Sequence, residues 1–136
     1  MKCYSNYFST RYTRYGSVDR VEAMNTIPRE LCYIEYNYVH RIECWKHMTE
    51  CAFVVSPFGN GYDCHRTWEA LSLGCIPIVK TSGLNSLFDD LPVWIVQDWK
   101  DISLETMKAK IEEFKNRTFN YEKLTLAYWK SKIINT

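Results

Sequence analysis

Three residues in one short stretch, His65, Arg66 and Glu69, have the types and spacing to hold an anion and a diol. On a helix Arg66 and Glu69 share a face one turn apart, and His65 lies over Glu69. A cation in the first turn of a helix has the wrong sign for the helix dipole. An anionic ligand at the helix start removes that conflict, and a carboxylate one turn further in accepts hydrogen bonds from a sugar diol. The competing account is an Arg66–Glu69 surface pair worth about 0.3–0.5 kcal/mol. Spacing alone does not choose between them.

The flanking sequence supplies the elements that would position these side chains. Ala52 to Val55 is a short apolar run with a Val pair, which predicts a buried strand. Ser56-Pro57 ends it, and Gly59-Asn60-Gly61 predicts a loop able to take positive φ and bring backbone amides close to a ligand. Asp63 is the expected N-cap of a helix from about His65 to Leu73, closed by Gly74 at the C′ position. Cys75 to Val79 reads as the next strand. Strand, glycine loop, helix and strand make a βαβ unit, whose loop lies where such sheets bind phosphates.

On the N-terminal side, Lys2 to Phe8 predicts an aromatic strand, followed by a loop from Ser9 to Gly16. Arg11 and Arg14 in that loop either reach a donor phosphate or stack on Tyr12 and Tyr15. A helix over 17–25 follows with Val18, Val21 and Met24 on one stripe, then a strand from Leu31 to Glu35. Asn37 is read as capping the next helix, with Tyr38, Ile42, Trp45 and Met48 facing the sheet. His40 and His47 fall off that stripe and read as solvated helix residues, with no spacing to a Cys or carboxylate that suits a metal.

On the C-terminal side, Thr81-Ser82-Gly83 predicts a turn on the same sheet edge as Gly59 to Gly61, which makes Ser82 and Gly83 further candidate contacts. Leu84 to Phe88 predicts one helical turn, and Asp89-Asp90 a solvated turn before a fifth strand at 93–96. Ser103 caps a helix carrying Leu104, Met107, Ile111 and Phe114, and Asn120 starts a last helix with Tyr121, Leu124 and Tyr128 inward. Five strands alternating with helices imply an α/β fold with a parallel, helix-covered sheet.

Composition narrows the function classes. A chain of 136 residues has room for one domain of usual size. Hydrophobic residues at 46% and aromatics at 15% mark it as folded rather than disordered. Seventeen basic against sixteen acidic residues gives no polyelectrolyte character, so bulk charge supports neither nucleic-acid nor membrane binding. No apolar stretch approaches the ~20 residues of a membrane span. The six cysteines form no CxxC pair and mostly sit in apolar runs, so reduced thiols and a cytoplasmic location are expected.

The stretch from Ser56 to Val79 resembles the donor-binding segment of GT-B glycosyltransferases, closest to exostosin-like and related viral or eukaryotic sugar transferases. Arg66, Glu69, Ala70, Gly74, Cys75, Pro77 and Val79 carry the match, which extends through 91–96 and Asp98-Trp99. The resemblance implies a Rossmann-like sheet of about five strands with helices on both faces, as in the C-terminal half of a GT-B enzyme. It implies that Arg66 meets the donor diphosphate and Glu69 the ribose. Position in the loops and at the helix start adds Gly59, Asn60, Gly61 and His65 as expected phosphate contacts, and Asp63, Ser82, Gly83, Arg11 and Arg14 as further candidates. The donor would be a nucleotide sugar, a UDP- or GDP-sugar foremost, with no cofactor and no metal. Many retaining members carry a second Glu eight residues before the ribose Glu, where this chain has Gly61. The acceptor site, and usually the base, lie in such enzymes on another domain, so a second domain or chain is an expected partner. The alternative is a non-catalytic module, derived from such a half, that binds a nucleotide or a partner.

Overall fold

A computed structural model of the chain describes residues 1–5 and 16–135. Five short strands, β1 (Cys3–Ser5), β2 (Cys32–Ile34), β3 (Phe53–Val55), β4 (Ile76–Lys80) and β5 (Trp94–Val96), form one sheet in the order β2-β1-β3-β4-β5, parallel throughout. The helices are α1 (Gly16–Thr26), α2 (Arg41–Thr49), α3 (His65–Ser72), α4 (Leu104–Lys115) and α5 (Leu126–Ile134). This is the Rossmann-like α/β architecture expected, in the doubly wound order whose switch point lies between β1 and β3.

Side-chain alternation along the strands explains the two layers. Cys3, Phe53, Val55, Ile78, Trp94 and Val96 point to one face, where Ala23 and Ile27 from the α1 side and Met107 of α4 cover them. Tyr4 and Val54 point to the other, against Met48 of α2 and Ala70 of α3. Pro77 sits within β4 without loss of a ladder bond. The Ile76 N–H donates to Ala52, so the position of the next N–H falls on the β5 side, where pairing begins only at Ile78 and Trp94.

Several local signals hold. Gly74 has φ +81 just beyond α3, the left-handed C′ conformation that favours glycine. Ser103 and Thr106 form a reciprocal capping box at the start of α4. Asp90, at φ 63, makes the expected turn before β5.

One helix packs with its apolar stripe outward, and three expectations are corrected. On α1 the stripe Val18, Val21 and Met24 faces solvent, at 66%, 42% and 52% exposure, while Asp19 and Ala23 face inward. A stripe of period 3.6 locates a face but not the layer it meets, and here a buried carboxylate with two donors occupies the inner side. Helix α2 begins at Arg41 after His40, not at Asn37, and leaves Tyr38 88% exposed outside it and Ile42 on the solvent side. His47 is half-buried against Glu35 and the ring of Tyr33 rather than solvated. Asn120 caps a 3-10 turn at Tyr121–Leu124, with Tyr121 exposed, and α5 starts only after Thr125.

Candidate functional site

The loop after β3 and the start of α3 form one wall of an open cleft of about 510 Å³ at the carboxyl edge of β1 and β3. That is the switch point of this strand order, where neighbouring connections leave on opposite faces and a crevice opens between them. Its size lies within the range of small-ligand sites, roughly 300–1,000 Å³. The opposite wall is Tyr38, Val39 and the first turns of α2.

Helix α3 buries Thr67, Ala70 and Leu71 against the sheet, which turns Arg66 and Glu69 to the cleft. Ser56 and Thr67 hydrogen-bond at 2.8 Å in the core and lock the end of β3 to the helix. The N-cap residue is Cys64 rather than Asp63, and its side chain makes no capping hydrogen bond, while the Thr67 N–H donates to the Cys64 carbonyl at 3.1 Å. Asp63 instead accepts the Cys64 N–H at 3.0 Å and the Trp68 indole at 2.7 Å. The Glu69 carboxylate accepts the Trp45 indole N–H from α2 at 3.1 Å. Both acids of the cleft are thus engaged by neutral donors, whereas three arginines, 20, 41 and 66, line it. The balance favours an anion.

Electrostatics at Arg66 point the same way. Burial pushes its guanidinium below the ordinary arginine range, and the neighbouring Arg20 adds to that, against the pull of Cys64, Cys44 and Glu69. A half-buried cation beside another cation gains most from a ligand that brings negative charge.

The glycine loop is shaped differently from the expectation. Among the described glycines only Gly74 has a left-handed φ, so Gly59 and Gly61 are not there for positive φ. The Gly59 N–H is spent on the Gly61 carbonyl at 3.1 Å. At Gly59 there is a close approach, since a Cβ would stand 3.1 Å from Nη2 of Arg20 and the guanidinium would have to give by a few tenths of an ångström. At Gly61 a Cβ would meet nothing within 4 Å.

Of the residues singled out from sequence, Gly59, Asn60, Gly61, Asp63, His65, Arg66 and Glu69 come together in this cleft. Ser82 and Gly83 do not line it. The Ser82 N–H donates to Asn85 Oδ1, and its hydroxyl accepts the Leu84 N–H, all within its own turn. Arg11 and Arg14 lie outside the described residues. Sequence reasoning missed Asp19 and Arg20, which reach the loop from α1. An Asp-Arg pair on a helix carries no local signal of such a role.

All six cysteines are free thiols. Burial pushes Cys32 up to about 11, with Cys51 and Glu30 adding to it, and raises Cys3, Cys51 and Cys75 likewise. No helix among the described residues is long and apolar enough to cross a membrane. No protein-family model and no curated protein matches this chain.

Proposed function

We propose that the chain is the donor-binding domain of a glycosyltransferase, holding the diphosphate and ribose of a nucleotide sugar in the cleft at the β1/β3 switch point. The observation that carries this reading is the pairing of Arg66 and Glu69 on the cleft face of α3, beside an uncapped helix start. Arg66 meets the leaving diphosphate, where charge develops as the glycosidic bond breaks, and so stabilises the transition state electrostatically. The amides of His65 and Arg66 at the start of α3, and those of Asn60 and Gly61, add to it. His65 hydrogen-bonds a phosphate or the sugar. Glu69, held by Trp45, accepts from the ribose hydroxyls.

The surroundings of the cleft support the expectation of a second domain or chain bearing the acceptor site. Tyr38 lines the cleft and is 88% exposed, and Tyr62, 40% exposed, lines a second depression together with Val18. Exposed aromatic and aliphatic groups around a polar cleft fit a surface that another body covers.

A thermal-shift titration with UDP, GDP, ADP and CMP and their sugar conjugates tests the reading. A ligand at a hundred times its dissociation constant adds about 2.7 kcal/mol of stability. A shift with one nucleotide, weakened in both Arg66→Ala and Glu69→Ala, supports the donor site and names the base. A folded chain that shifts with none of them rejects donor binding by this chain alone.

A further inference from the structure

We propose that the anion site is two-armed: Arg20 of α1 and Arg66 of α3 together select a diphosphate over a single phosphate, and Asp19 positions the first arm. This rests on the donor-site reading above and adds to it a residue, a partner for that residue and a selectivity.

Helix α1 covers the opposite face of the sheet from α3, yet Arg20 lines the same cleft as Arg66. Consecutive side chains of α1 grip one residue of the β3–α3 loop. The Asp19 carboxylate accepts the Phe58 N–H at 2.8 Å, and Arg20 Nε donates to the Phe58 carbonyl at 3.0 Å. The second oxygen of Asp19 accepts the Trp99 indole N–H at 2.7 Å. Asp19 and Trp99 are 4% and 1% exposed, so this carboxylate is a buried fixed point. The grip sets the direction of the guanidinium. With Nε turned to the backbone, the Nη end runs past Gly59, and the missing Cβ at that position leaves it room.

A strap that only tied down the loop would need the Nε bond and nothing more. Here Arg20 also lines the cleft that Arg66 lines, and its charge disfavours the charge on Arg66. A ligand that brings negative charge between them lowers that cost. Planar guanidinium forks match phosphate oxygens. A single phosphate satisfies one arm, whereas a diphosphate spans both.

The test is calorimetric titration of the full chain with inorganic phosphate and inorganic pyrophosphate. Native chain is compared with Arg20→Gln, Arg20→Lys, Asp19→Asn, and Arg29→Gln as a control for net charge away from the cleft. The native chain should prefer pyrophosphate by about tenfold or more, the scale of one further charge-assisted hydrogen bond. Arg20→Gln should weaken pyrophosphate by about tenfold to a hundredfold and phosphate by less than about threefold, collapsing the ratio. Asp19→Asn should lower the ratio in the same direction, and Arg29→Gln should leave it alone. A purely structural strap would lower both affinities together. If Arg20→Gln does not fold, Arg20→Lys decides, because lysine keeps the charge but lacks the fork and should still lose most of the preference. An unchanged ratio in a folded Arg20 variant overturns the second arm, even where nucleotide binding depends on Arg66. A native chain that binds no phosphate species overturns both this inference and the donor-site reading.

Discussion

Two glycine-bearing loops leave the carboxyl edge of the sheet side by side, and they differ in where their polar groups are used. In the loop after β4, Ser82 and Asn85 bond within the turn, the Asn85 amide donating to Thr81 Oγ1 at 2.8 Å. In the loop after β3, Phe58 is held from outside by α1, and the charged side chains that follow face a cleft. Both sequences look capable of binding. A turn that satisfies itself has little left for a ligand, whereas a loop braced by another helix keeps its side chains for one. The residue types alone did not separate them.

The largest test of this contrast is to remove the brace. Asp19→Ala leaves two donors, one of them a buried indole, without their acceptor and should cost about 2–5 kcal/mol in urea denaturation. Ser82→Ala removes one acceptor within a half-exposed turn and should cost about 0.5–1 kcal/mol. Equal costs would erase the distinction between the loops.

The glycines sharpen it further. Gly59→Ala crowds Arg20 and should weaken pyrophosphate binding while the fold survives. Gly61→Ala and Gly83→Ala meet open space with no left-handed φ, so stability should stay within about 0.5–1 kcal/mol of native, on either side. Loss of binding in Gly61→Ala but not in Gly59→Ala would reverse the assignment of the close approach.

The smallest effect concerns the loop after β2, whose start is tied by Glu35 to His47. Contact with Glu35 raises the His47 pKa above its ordinary value, with Glu43 and Glu50 adding to it, against burial. The folded chain therefore favours the protonated ring. Its contribution is fully present below the ordinary imidazole pKa of about 6.5 and is lost as pH rises through the raised value. The difference in urea midpoint between native chain and His47→Gln should shrink over that rise. A difference that grows with pH would contradict the pairing.

Much of the fold was legible because its signals are local. The Val pair of β3, the glycine after α3 and the Ser103 cap each follow from a few adjacent residues, and all three stand where expected. Helix α1 turns its apolar stripe outward for a reason that is not local. Its apolar stripe is real, but Asp19 lies inward because Phe58 and Trp99, 39 and 80 positions away, supply its donors. The start of α2 was set too early, since Asn37 and Tyr38 mimic a cap and an apolar helix position.

By itself the sequence determined five strands alternating with helices and the placing of Arg66 and Glu69 on one face of a helix, because periodicity, caps and helical spacing act over a few residues. Only the tertiary structure decided the strand order, and with it the switch point at β1 and β3. It alone brought Arg20 to the same cleft and left Ser82 and Gly83 outside it. Which polar groups meet depends on the packing of distant elements, and no local preference encodes that.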